Sequence, residues 1–185
     1  MKYKIAYMES EMALSRLMSC FVLLLMGVVF LTGCNDEKEL NLKDGDEQIT
    51  EEMNDVISDY IIQKYADTYA NTEKQFEVHK VYGTSEKDEI LTVYLWSYYG
   101  GYSKATGIEN QSGHSLPAMI RLSKKEDSFT VIEYKEPKDG SLYSSSLKKM
   151  FPKKYLELVT QDSGDVGELQ LAMDKKVKQW LKGEG

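Results

Sequence analysis

Histidine and cysteine are scarce in this chain of 185 residues, with two of each, and it has three prolines and only two arginines, Arg16 and Arg121. A metal centre needs several His, Cys or carboxylate ligands converging on one point. His79 and His114 fall in different predicted strands, so no metal and no cofactor is expected. The cysteines are Cys20 and Cys34. Everything after Cys34 must therefore be held by its core, without a disulfide. A long apolar run is also missing, since the best candidate, Leu17 to Leu31 (LMSCFVLLLMGVVFL), has 15 residues. As a helix it would be about 22 Å long, against the ~30 Å of a hydrocarbon core. There is no basic excess either: the formal net charge is −7. Such a chain is repelled by nucleic acid and by anionic lipid, and no nucleic-acid partner is expected.

The short apolar run is preceded by Arg16 and followed by Thr32, Gly33 and Cys34. It reads as the core of a secretory signal, with the positive flank retained on the cytoplasmic side and the rest exported. Glu9 and Glu11 are unusual for the start of a signal, so Met12 is an alternative first residue. Leu31-Thr32-Gly33-Cys34 resembles the lipobox of bacterial lipoproteins, in which small residues ahead of the cysteine admit the lipoprotein signal peptidase. The resemblance implies that Leu31, Thr32 and Gly33 are the recognition residues. It also implies that Cys34 becomes an S-diacylglyceryl N-terminus, with its N-acylation left open. Residues 1–33 are then signal peptide, and the product is held at the outer face of the cell membrane. Removing Lys2, Lys4, Arg16, Glu9 and Glu11 leaves 20 basic and 28 acidic residues, a mature charge of −8.

Residues 34–48 read as an acidic flexible tether, because Asn35 to Gln48 holds six acids and only two leucines. Residues 49–185 are long enough for one domain with one core. Thr50 can cap a helix with Glu51 and Glu52 in its first turn, whose apolar stripe runs through Met53, Val56, Ile57, Tyr60 and Ile61 to about Tyr65. Gln75 to Tyr82 alternates as a strand, Glu89 to Tyr99 is a second, and Gly83 to Asp88 is read as their connection. The second strand is apolar on both faces, with Ile90, Tyr94, Trp96 and Tyr98 on one and Leu91, Val93 and Leu95 on the other. It is thus either central and covered on each side, or covered on one face with an aromatic functional face opposite.

Residues 100–113, with four glycines, read as a loop, and His114 to Leu122 and Ser128 to Lys135 as two further strands. Pro137 to Gly140 ends the sheet. Pro152 suits a helix start, and a last helix is signalled by an Asp165/Glu168 capping pair and a stripe of Val166, Leu169, Met173, Val177 and Trp180. The expected class is α+β: an N-terminal helix, a four-stranded antiparallel sheet that could roll around it in cystatin-like fashion, and C-terminal helices.

Catalytic motifs are absent or incomplete. Gly101-Tyr-Ser103-Lys-Ala105 lacks the second glycine of a nucleophile elbow, and Ser145-Ser-Leu-Lys148 lacks the companion elements of penicillin-binding proteins. What remains is an aromatic cluster around Gly100-Gly101: Trp96, Tyr98, Tyr99 and Tyr102, with His114 nearby. As a surface it would bind a protein, a peptide or a cell-wall sugar through rigid rings; otherwise it fills the core. Tyr102 is expected to be exposed and Tyr99 partly buried.

His79-Lys-Val-Tyr-Gly-Thr84, Tyr94-Leu-Trp96, Gly113-His-Ser-Leu-Pro117, Tyr134 to Ser141 and Met150-Phe-Pro152 together carry a further likeness. Residues 75–158 resemble an uncharacterised extracytoplasmic domain of Gram-positive lipoproteins. The same domain stands at the C-terminal end of some antirepressor-type membrane metallopeptidases. The His-Glu-x-x-His of the peptidase half is not present here, so proteolysis is not implied. The resemblance implies a non-enzymatic sensing or protein-interaction module. A small cell-envelope hydrolase with a dispersed site is the alternative.

Overall fold

The computed structural model describes residues 49–69, 71–125, 128–163 and 166–183. The signal segment, the lipobox with Leu31, Thr32, Gly33 and Cys34, the tether and Asp165 lie outside the described residues.

Thr50 caps helix α1, Glu51–Tyr65, its side-chain oxygen accepting from the Met53 amide, and Glu51 and Glu52 sit in the positive first turn. Four strands follow: β1 (Lys74–Lys87), β2 (Ile90–Tyr102), β3 (Ser112–Lys125) and β4 (Ser128–Lys135). They pair antiparallel in chain order, a meander. A 3-10 turn at Gly140–Leu142 leads into α2 (Tyr143–Met150), α3 (Lys153–Gln161) and α4 (Gly167–Lys182). This is the α+β class expected.

The two apolar faces of β2 are both covered. Ile57, Ile61 and Tyr65 of α1 pack with Val81, Val93, Leu95, Tyr99, Ala118, Ile120 and Leu122. On the opposite face Val78, Tyr82, Tyr94, Trp96, Tyr102 and Met119 meet Leu147, Phe151, Tyr155, Val159, Leu169, Met173 and Val177 of the C-terminal helices. The meander therefore holds the first helix on one face and a second helical layer on the other. Covering both faces is what a strand with apolar residues on each face requires.

Three boundaries differ from the sequence reading. The connection of β1 to β2 is the pair Asp88-Glu89, both with positive φ (54° and 61°), the geometry a two-residue hairpin needs to match strand twist. Gly83 lies instead inside β1 at a register shift, beneath Tyr155: an added Cβ would stand 2.3 Å from that ring. Gly100 and Gly101 are strand residues paired with Phe76 and Gln75, so the loop is confined to residues 103–111. Here glycine provides room, since a Cβ on Gly100 would meet the Tyr102 ring at 2.9 Å and one on Gly101 the Thr72 hydroxyl at 2.5 Å. The α4 cap position is Val166, with no side-chain capping bond, in place of the expected Asp165.

Candidate functional site

The five residues expected to form an aromatic surface do not form one. Trp96 is 5% exposed, Tyr99 1% and Tyr102 0%, and Tyr98 and His114 are half-buried. Strand alternation also divides them. Trp96, Tyr98 and Tyr102 belong to the layer under the C-terminal helices, and Tyr99 belongs to the α1 side. Tyr102 is buried because β2 continues through the glycines, which turns its ring against Phe76 at 6.0 Å between centroids. His114 sits opposite Tyr99 in the β2–β3 register and stacks on it at 5.4 Å.

A polar group that sequence reasoning missed lies between α1 and the sheet. Glu77 is fully buried, yet Ser97 Oγ donates to one of its carboxylate oxygens at 2.8 Å and Ser58 Oγ to the other at 2.8 Å. His79 Nδ1 stands 3.0 Å from the second oxygen, and its Nε2 is 3.0 Å from Asn54 Oδ1. Burial raises the Glu77 pKa, but the His79 charge and the hydrogen bonds from His79, Ser58 and Ser97 outweigh it and hold the group below the usual carboxylate range. Only the alternation of strand positions 77, 79 and 97 and the helical spacing of 54 and 58 signalled that these side chains could meet.

The network offers little chemistry. Both serine hydroxyls donate to the Glu77 carboxylate, whose lowered pKa makes it a weak base for activating a nucleophile. Both nitrogens of His79 are engaged, one by Glu77 and one by Asn54. No group of three or more potential metal ligands occurs among the described residues.

Beside this network His114, Tyr65, Tyr69, Tyr99 and Tyr134 form a ring cluster with centroid separations of 4.4–6.4 Å. His114 Nδ1 shares a 3.0 Å hydrogen bond with the Tyr69 hydroxyl, and Tyr65 donates to Glu136. Burial pushes the His114 pKa down to about 4, the nearby Glu77 charge opposing the shift. Its Nε2 and the Ser112 hydroxyl are buried without a hydrogen-bond partner.

Ser112 and His114 also line a cleft of about 380 Å³, together with Tyr98, Asn110, Gln111, Gly113 and Ser115. The cleft arises from unequal strand lengths. β4 pairs only with Met119–Lys125 of β3, so among the described residues the start of β3 has β2 on one side and no strand on the other. Of the residues expected at a binding surface, Tyr98 and His114 border this cleft, and Trp96 reaches its rim through a 2.8 Å bond from Nε1 to Ser115 Oγ. Asn110, Gln111, Ser112 and Gly113 fall in the loop the sequence predicts and Ser115 in the start of the next strand, with no side-chain signal to mark them.

The chain matches no protein-family model, no curated protein and no solved structure.

Proposed function

We propose that the chain is a lipid-anchored lipoprotein whose exported domain is a non-enzymatic binding module, with the cleft at the start of β3 as its ligand site. The cleft carries this reading: it is open, lined by polar side chains and main chain of residues 110–115, and bordered by a β3 edge with no strand beside it among the described residues. Pockets with a few convergent polar groups are the default place to look for a ligand. The acid and base groups of the Glu77 network, in contrast, are engaged with one another.

The anchor rests on Leu31-Thr32-Gly33-Cys34 following the 15-residue apolar run. Two acyl chains at about 0.8 kcal/mol per buried CH₂ hold a protein on a bilayer stably. The module then works at the outer face of the cell membrane, and the likeness to an extracytoplasmic sensing domain agrees with that placement.

Two measurements on intact cells test the proposal. Radiolabelled palmitate is expected to enter the wild-type chain and not Cys34→Ala; label in the variant would refute the anchor. A photo-crosslinking side chain placed at Gln111, beside the cleft, is expected to capture an envelope component that the same probe at Thr130 does not. Equal yields from the two positions would refute the cleft as the site.

A further inference from the structure

We infer that the edge of β3 between Ser112 and Leu116, unpaired among the described residues, takes an extended, uncharged peptide as an added strand. The inference rests on reading the cleft as the ligand site and names what the site accepts.

In an antiparallel strand each residue turns its N–H and C=O to one side only, so half of these groups at the start of β3 face away from β2. Pro117 follows this stretch, paired in register with Trp96. A proline is tolerated within a strand where its nitrogen faces away from the ladder. Alternation then turns Gly113 and Ser115 outward as well. That leaves the N–H and C=O of Gly113 and Ser115 for a partner, the buried Pro117 marking where the open edge ends.

The other edges of the sheet carry obstructions that this one does not. Along β1, Lys176 reaches from α4 to donate to the Glu77 carbonyl at 3.0 Å, and the strand bulges between Val81 and Gly83. β4 is interrupted by a register shift against Arg121/Leu122 and flanked by the Arg121–Glu133–Lys135 charges. Inserted lysines, bulges and charges are how proteins keep an edge from pairing.

The lining chemistry selects among ligands. Among the described residues no Lys, Arg, Asp or Glu lines the cleft, and burial disfavours the charged form of His114, so neither an anion nor a cation finds a counter-charge there. The Tyr98 ring is half-buried with its hydroxyl held by Gln170, which leaves no free aromatic platform for a sugar. Main-chain donors and acceptors next to a neutral polar cleft suit a peptide whose backbone gives affinity and whose alternate side chains enter the cleft.

The test starts from a phage-displayed library of random dodecapeptides selected on the purified full chain. An enriched peptide is expected to slow hydrogen exchange at the Gly113 and Ser115 amides by tenfold or more. N-methylating its alternate amides in one parity should weaken binding about tenfold and in the other parity leave it unchanged, since a lost main-chain bond of about 1.4 kcal/mol is a factor of ten. Ser115→Pro, which removes the central outward donor, should abolish binding while the melting temperature shows the chain still folded. Enriched peptides that leave both amides unprotected, or that tolerate N-methylation in both parities, would overturn the inference. So would selection of no peptide at all. A muropeptide that binds the cleft where peptides fail would overturn the peptide inference and leave the proposed binding module standing.

Discussion

Glu77 and His114 each contribute to the response of the domain to acid, in two separate windows. His114 has its folded pKa lowered from 6.5 to about 4, so the unfolded chain binds the proton more readily. Its contribution is complete above the unfolded value and is lost as the pH falls from about 6.5 towards 4. Glu77 is depressed below its ordinary value, so its contribution is present above about 4.3 and is lost further down, through its folded pKa. His114→Gln is therefore expected to flatten the decline in melting temperature between pH 6.5 and 4 while leaving the lower limb in place. An unchanged slope in that window would show the histidine to be solvated. Glu77→Gln should cost about 3–5 kcal/mol at neutral pH, because it leaves His79 and two serine donors facing a neutral amide in a dry layer. Tyr99→Ala and Tyr102→Ala should each cost about 3–5 kcal/mol in urea unfolding, as large-to-small changes in a packed core do. Either variant unfolding at the wild-type urea midpoint would mean that its ring is not packed.

At the scale of elements, α1 was fully legible: cap, acidic first turn, stripe and end all stand where the pattern placed them. Thr50→Ala should cost about 1 kcal/mol of stability through the lost bond to the Met53 amide, and Thr50→Ser much less. Equal melting temperatures for Thr50→Ala and wild type would show that the cap carries no weight. The glycine pairs were misread for a physical reason. Local sequence presents glycine as freedom of φ, whereas Gly100, Gly101 and Gly113 serve close approach between elements far apart in the chain. Gly113→Ala would bring a Cβ to 2.0 Å from the Tyr99 carbonyl oxygen, and Gly83→Ala would meet the Tyr155 ring at 2.3 Å. Backbone yields less than a side chain, so Gly113→Ala is expected to destabilise more than Gly83→Ala, whose cost is about 1–3 kcal/mol. Calorimetry of the two variants checks the order.

For the molecule as a whole, the positions of Cys20 and Cys34 leave the folded part without a thiol. Its melting temperature is expected to be the same with and without dithiothreitol, and a fall on reduction would contradict this. What the sequence by itself determined was whatever depends on near neighbours: the lack of any cysteine after Cys34, the charge, the α1 and α4 stripes, the two apolar faces of β2 and the α+β class. Each of these is a period of two or 3.6, or a count, and can be read along the chain. Only the tertiary structure decided that Tyr102 is core, that Glu77, His79, Asn54, Ser58 and Ser97 share one buried network, and that the start of β3 is left unpaired by β4. These outcomes turn on register and relative strand length. β4 reaches only to Met119, and nothing within eight residues of Ser112 says so. Burial and binding edges are properties of which distant segments meet, and a one-dimensional pattern carries that information only where both partners announce their faces.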